Sequence, residues 1–148
     1  MTPSYLLDTN LLVYCFDEDE PEKKDRALAT IDRVGRMPSA ALPAQVLAEF
    51  ANVALYTLDP PLSPDEVYGQ IELYEAVFPV RPLTSAVALE ASRGVRDHSF
   101  SYFDAQIWAV AKLDQIPVVL SEDFPTGATV EGVTFRNPLA DDFDLADL

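Results

Sequence analysis

Four acidic residues, far apart along the chain, have the side-chain type and the sequence setting of a divalent-metal site. Asp8 ends a short apolar run, and Asp123 lies just past a second one. Glu49 lies beside the apolar stripe of a predicted helix, and Asp104 opens another predicted helix. A carboxylate at the end of a core strand costs free energy unless it is paired. Clustered carboxylates also repel one another unless a cation lies among them.

The chemistry that such a group favours is hydrolysis of a phosphodiester with Mg²⁺ or Mn²⁺. Both are hard cations that take oxygen ligands, and Mg²⁺ keeps several of its waters. One or two ions held by carboxylates can activate water, hold the phosphodiester and stabilise the leaving oxygen. No histidine is needed, and the chain has only His98. The shortage of nitrogen and sulfur ligands disfavours zinc.

Each acid taken alone also has a simpler structural interpretation. A helix-opening residue such as Asp104 is often an N-cap or a partner of the helix dipole. Glu49 has the position of a solvated boundary residue, and Asp123 could belong to a turn. The two polar residues after Asp8 could satisfy its carboxylate by local hydrogen bonds. The four acids together are more informative than any one of them.

The elements that must position these acids are short strands alternating with helices. Strands are predicted near residues 4–8, 117–120 and 133–135, with possible short strands within 37–43 and at Val80. Helices are predicted near 9–16, 21–36, 46–58, 64–77, 85–96 and 103–113. This alternation predicts a three-layer α/β/α sandwich with a central parallel sheet. Ligands gather at the carboxyl ends of the strands of such a sheet, where Asp8 and Asp123 are placed.

Length and composition indicate one domain, residues 1–140, followed by the acidic segment 141–148, which is predicted to be solvated or frayed. A single cysteine, Cys15, excludes a disulfide framework, and we expect it to be buried. No apolar run is long enough to span a bilayer, and the first residues lack the features of a signal peptide. The sequence therefore predicts a cytoplasmic protein with no membrane association.

The net charge of −15 argues against a nucleic-acid partner when it is taken alone. There are 25 acidic and 10 basic residues, and three of the bases are lysines. Such a surface repels phosphates at long range. Cations bound to the acids, or a basic partner protein, would offset part of this charge.

Four segments, taken in order, resemble the PIN domain of metal-dependent ribonucleases, and most of all the VapC-type toxins of prokaryotic toxin–antitoxin pairs. They are YLLDTNLLVY, QVLAEFANVAL, FDAQIWAVAK and VVLSEDF, and SEDFPTGATVEGVTFRNP resembles the ending of many bacterial PIN proteins. The resemblance spans residues 5–138. It implies a helix-flanked sheet whose acidic pocket binds Mg²⁺ or Mn²⁺ and cleaves RNA endonucleolytically.

The resemblance also implies roles for individual residues. The four acids named above match the family's catalytic and metal-binding acids. Asn10 and Ser121 match polar positions that support the pocket, and Glu122 competes with Asp123 for the place of the fourth acid. Homodimers are implied, together with a cognate antitoxin that blocks the pocket. Two features depart from the pattern: the net charge, and Trp108 where a smaller aliphatic residue is expected.

Three alternatives remain open from the sequence. A PIN fold without catalytic activity would act as a binding module only. A receiver-like signalling module also places acids at strand ends, but it needs a lysine on a late strand, and the only late lysine, Lys112, is in a predicted helix. A haloacid-dehalogenase phosphatase would need an Asp-x-Asp pair where this chain has Asp8-Thr9-Asn10.

Overall fold

Six strands and six α-helices alternate along the chain in the computed structural model, which describes residues 2–37 and 39–148. Pro38, within the predicted break before the second strand, lies outside the described residues, as does Met1. The strands are β1 (Tyr5–Leu7), β2 (Ala40–Pro43), β3 (Val80–Arg81), β4 (Val118–Leu120), β5 (Thr129–Val130) and β6 (Val133–Arg136). The helices are α1 (Thr9–Tyr14), α2 (Pro21–Arg36), α3 (Ala44–Tyr56), α4 (Pro64–Val77), α5 (Ser85–His98) and α6 (Tyr102–Leu113). In the described ranges, none of these helices combines the length and apolar character needed to cross a membrane.

The six strands form one sheet in the order β3-β2-β1-β4-β6-β5. All neighbours are parallel except β5, which pairs antiparallel with β6. From β1 the chain adds β2 and β3 on one side, and then returns to place β4 on the other side of β1. Because such crossovers are right-handed, α1 to α4 cover one face and α5 and α6 cover the other. The predicted α/β/α sandwich is confirmed, with a sheet that is mostly rather than wholly parallel.

The core lies between the sheet and these two helical layers. The central strands read as continuous apolar runs because both of their faces are covered, and Leu6, Leu7, Val119 and Leu120 are fully buried. On one face α1 packs against α2 and α3, and on the other α5 packs against α6. Cys15 is buried, as expected, and burial raises the pKa of its thiol to about 12.

Trp108, which departs from the family pattern, is accommodated by a glycine on the neighbouring helix. Its indole is fully buried, and its Nε1 donates a 3.1 Å hydrogen bond to the carbonyl of Val130. A Cβ on Gly94 of α5 would lie 2.9 Å from the indole Cζ3. Because Gly94 has no side chain, the large ring fits between α5 and α6.

The acidic C-terminal segment, which was predicted to be solvated or frayed, has exposed acidic side chains and a backbone that contacts the fold. Residues Leu145–Asp147 form a 3₁₀ turn. Arg26 of α2 donates to the carbonyl of Phe143 at 2.7 Å, and Arg33 donates to that of Leu148 at 3.3 Å. The charged side chains stay exposed, while the backbone of the segment is held by arginines.

Candidate metal centre

The point at which the strand order reverses, between β1 and β4, brings together residues from opposite ends of the chain. These strands pair in parallel with Leu7 opposite Leu120. The backbone N–H of Asp8 continues the pairing by donating to the Leu120 carbonyl at 3.1 Å. Asp8 directly follows β1, and Asp123 follows β4 by three residues. Both acids therefore lie at the crevice where open parallel sheets bind ligands.

A third acid reaches the same crevice from the first turn of α6. Ser101 is the N-cap of this helix, so Asp104 is not itself the cap. Asp8, Asp104 and Asp123 each supply one carboxylate oxygen, and these three oxygens lie within 4.8 Å of one another. Three acids spread over more than a hundred positions of sequence thus meet in a space the size of one coordination sphere.

Ser121 connects the two strand ends at this cluster. Its buried hydroxyl donates to Asp8 Oδ2 at 2.7 Å, and it accepts from the backbone N–H of Asp123 at 3.0 Å and from Asn10 Nδ2 at 3.1 Å. The amide oxygen of Asn10 in turn accepts from the N–H of Glu122 at 3.3 Å. Ser121 therefore bonds to Asp8 directly, and Asn10 reaches the cluster through Ser121.

Burial and mutual repulsion both act on these carboxylates. Burial is the main cause that raises the pKa of Asp8 to about 6, and the charges of Asp123 and Asp104 add to it. Hydrogen bonds from Ser121 and the Thr9 N–H act in the opposite direction. Burial also raises the pKa of Asp104, with further contributions from Asp123 and Glu49. The simpler interpretation of Asp8, satisfaction by the local chain, accounts for only one bond, that from the Thr9 N–H at 2.7 Å.

Glu49 lies beside the cluster and is not one of the three acids whose oxygens meet in the described part of the chain. Its carboxylate accepts a 3.1 Å hydrogen bond from Thr9 Oγ1 and a bond from the amide of Gln45. Gln45 also donates to the carbonyl of Phe103, the residue before Asp104. Glu49 is therefore fixed between α1 and the start of α6, and a role in holding an ion stays a prediction.

Glu122 points to different partners from its neighbour Asp123. It accepts a 2.6 Å hydrogen bond from the Tyr14 hydroxyl, and its other oxygen lies 2.9 Å from Lys23 Nζ. These bonds link α1 and α2 to the loop after β4. Asp123, by contrast, belongs to the three-acid cluster. The geometry thus favours Asp123 over Glu122 as the metal-binding acid at this position.

An open cleft of about 320 Å³ adjoins the cluster. It is walled by α1 and α3 and closed at one end by the loop after β4, with Asn10, Tyr14, Glu49, Glu122 and Asp123 among its lining residues. The lining includes many polar residues, and the cleft opens Asp123 and Glu49 to solvent. A substrate could therefore approach Asp123 without any rearrangement of the backbone.

The donor set fits a hard divalent cation. Three converging carboxylates supply oxygen ligands only, as Mg²⁺ and Mn²⁺ prefer. His98 lies elsewhere, with its Nε2 2.5 Å from Glu131. Lys112, which a receiver-like module would need at the site, contacts Glu90 at 2.9 Å on the surface of α5 and α6. The geometry therefore supports neither zinc binding nor the receiver alternative.

Comparison with solved structures finds the same fold in several chains. A chain of a toxin–antitoxin complex from Klebsiella pneumoniae matches with a TM-score of 0.67 and 17% identity, covering 91% of this chain and 98% of its own. A chain of FitAcB from Neisseria gonorrhoeae matches with a TM-score of 0.63 and 20% identity, covering 90% and 97%. A chain of VapBC2 from Rickettsia felis, bound to a promoter DNA fragment, gives a TM-score of 0.63 and 12% identity, covering 90% and 97%. At these identities the likeness concerns the fold alone.

Family membership comes from the sequence itself. Among proteins with curated descriptions, none matches this chain. The model of the PIN domain matches residues 5–124, which include β1, β4 and all four predicted acids. With the sheet order and the acidic crevice in place, this match means that the chain belongs to the PIN domain family.

Proposed function

We propose that this protein is a divalent-metal-dependent endoribonuclease and the toxin of a toxin–antitoxin pair. The observation that carries the nuclease proposal is the convergence of Asp8, Asp104 and Asp123 within 4.8 Å at the strand-order switch of a PIN domain. PIN domains are generally nucleases, and such a carboxylate group matches metal-assisted phosphodiester hydrolysis. The toxin assignment is supported by solved structures of similar fold, which include a toxin–antitoxin complex from Klebsiella pneumoniae and VapBC from Salmonella typhimurium.

Asp8, Asp104 and Asp123 would hold the cation, directly or through water. A bound Mg²⁺ or Mn²⁺ would polarise the scissile phosphodiester and offset the negative charge on the attacking and leaving oxygens. The protein side chains do the positioning. Ser121 orients Asp8 and the backbone N–H of Asp123, and Glu49, held by Thr9 and Gln45, presents a carboxylate that could accept a proton from the attacking water.

The remaining parts of the proposal follow from the family resemblance. RNA is the proposed substrate, and the protein is proposed to act in the cytoplasm as a homodimer whose pocket is blocked by a cognate antitoxin. A basic antitoxin would also complement the net charge of −15. None of the four acids is missing, which favours an active nuclease over a binding module of the same fold.

The test is a cleavage assay on defined RNAs with Mn²⁺, with and without a chelator. The parent protein should cut internally and stop cutting when the ion is removed. Asp8→Asn should abolish the cleavage, whereas Asp141→Asn, the same change at an exposed residue of the C-terminal segment, should leave it unchanged. A parent protein that leaves RNA intact in Mn²⁺, while binding it, would favour the inactive binding module instead.

A further inference from the structure

Two exposed aromatic residues directly precede the acid that α6 contributes to the cluster. Tyr102 and Phe103 open α6 and precede Asp104. Their side chains are 41% and 64% exposed, although large apolar groups are usually buried. Their rings contact each other edge to face, with centroids 5.7 Å apart. The carbonyl of Phe103 accepts from Gln45, which also holds Glu49, so the backbone that carries these rings is tied to the site.

The basic side chains offer little to a phosphate backbone. Each of the ten lysine and arginine side chains contacts an acid or a backbone carbonyl of this chain. These bases are Lys23, Lys24, Arg26, Arg33, Arg36, Arg81, Arg93, Arg96, Lys112 and Arg136. The base that reaches the loop of the cluster, Lys23, is held by Glu122. Ion pairs with phosphates would have to compete with these contacts within the chain, which favours an additional source of binding free energy.

We propose that Phe103 and Tyr102 form a stacking platform on which unpaired bases of the substrate strand lie, so that the scissile phosphate is positioned at the acidic cluster. This inference rests on the proposed nuclease function. Stacking on an aromatic ring requires no positive charge, because every base has a π-face. The rings are exposed and lie one and two residues before Asp104, so a base stacked on them would lie near the phosphate at the acids.

The platform gives a specific expectation for salt. A protein that contacts six or more phosphates through basic side chains loses about 10³-fold or more in affinity for nucleic acid between 50 and 200 mM salt. A platform that stacks bases releases few counterions. We therefore expect the affinity of this protein for single strands to fall less than about tenfold over that range.

The experiment measures binding of a fluorescein-labelled oligouridylate of about 12 nucleotides by anisotropy. Ca²⁺, which takes oxygen ligands as Mg²⁺ does, occupies the acids, and a gel verifies that the strand stays intact. Phe103→Ala and Phe103→Leu should both weaken binding by roughly 5- to 100-fold, the loss of one stacked base. Phe103→Tyr should bind as the parent does, since it keeps the ring. Tyr68→Ala, which removes an equally exposed ring from α4, should have no effect.

Several results would overturn the platform. These are recovery of binding by Phe103→Leu, normal binding by Phe103→Ala, no binding by the parent, or preference of the parent for a duplex of the same length. A change of oligomeric state in Phe103→Ala, measured by light scattering, would instead identify the rings as a contact between protein chains. If the parent binds the strand through Phe103 but does not cut RNA in Mn²⁺, the nuclease proposal fails, and only the stacking of bases on the rings is supported.

Discussion

The hydroxyl of Ser121 donates a 2.7 Å hydrogen bond to the Oδ2 atom of Asp8, across 113 positions of sequence. The bond joins the end of β4 to the end of β1. It also fixes the acid whose burial is deepest among the three that cluster. The orientation of Asp8 is therefore set by a neighbouring strand and not only by its own turn.

Removing this hydroxyl should loosen the site without removing any acid. In Ser121→Ala, Asp8 loses a donor and the Asp123 N–H loses its acceptor. Groups that orient metal-binding side chains typically change metal affinity or activity by about 10- to 100-fold. We expect a loss of that size in Mn²⁺-dependent cleavage of RNA. Ser92→Ala, which removes an exposed hydroxyl bonded only within α5, should be neutral.

Asp8→Asn should make the metal-free protein more stable at neutral pH while abolishing cleavage. Burial raises the pKa of Asp8 to about 6 from its ordinary value of 3.8. Between these pH values the folded state holds a proton that the unfolded chain lacks, so the free energy of unfolding falls as pH rises from about 4 to about 6. Above pH 6 the parent therefore bears a cost of roughly 2–3 kcal/mol that the amide avoids.

The measurement is urea denaturation of both proteins in chelator at pH 5 and pH 8. The advantage of Asp8→Asn should be largest at pH 8 and should shrink as the pH falls toward 4. Equal stabilities of variant and parent at pH 8 would show that the buried, charged Asp8 does not destabilise the folded protein.

Mn²⁺ should raise the melting temperature of the parent, and the effect should depend on Asp123 but not on Glu122. An ion at 100 times its Kd adds about 2.7 kcal/mol, which corresponds to roughly 5–10 °C for a chain of this size. Glu122→Gln should keep this increase, because Glu122 faces Tyr14 and Lys23. Asp123→Asn should lose most of it. The reverse pattern, seen in a thermal scan, would assign the ligand to Glu122.

A pair of glycine variants tests how Trp108 is accommodated. In Gly94→Ala the new methyl group would lie 2.9 Å from the buried indole, so we expect the free energy of unfolding to fall by about 1–3 kcal/mol through overpacking. In Gly69→Ala nothing lies within 4 Å of the new Cβ, and better helix propensity should stabilise the protein by about 0.5–1 kcal/mol. Chemical denaturation distinguishes the expected loss of stability from the expected gain. A Gly94→Ala protein as stable as Gly69→Ala would contradict the close packing of Trp108 against Gly94.

The sequence predicted most elements because their signals are carried by side chains. A capping box formed by Ser63 and Glu66 precedes α4, which begins at Pro64 as predicted. The strand β5 was missed, because two residues at a sheet edge have no apolar alternation to detect. The backbone contacts of the C-terminal segment were missed for a related reason. Arginines hold the segment through backbone carbonyls, and every residue type has the same carbonyl.

The candidate site was predictable as a set of acids but not in its geometry. Asp8 and Asp123 could be placed because strand ends in a parallel sheet share one edge. The sequence could not distinguish Glu122 from Asp123, since neighbouring residues of a loop can point in any direction. It also could not show that Glu49 is bonded to Thr9 and Gln45 beside the cluster. The accommodation of Trp108 depended on Gly94, a contact between two helices that no local pattern reveals.

The pairing of β1 with β4 has a consequence for the timing of activity during synthesis. Asp8 is synthesised more than a hundred residues before Ser121 and Asp123. A nascent chain that has not yet extended past β4 has neither the strand that orients Asp8 nor the third carboxylate. In the proposed nuclease, cutting of RNA would therefore begin only after β4 and the loop that follows it have been made.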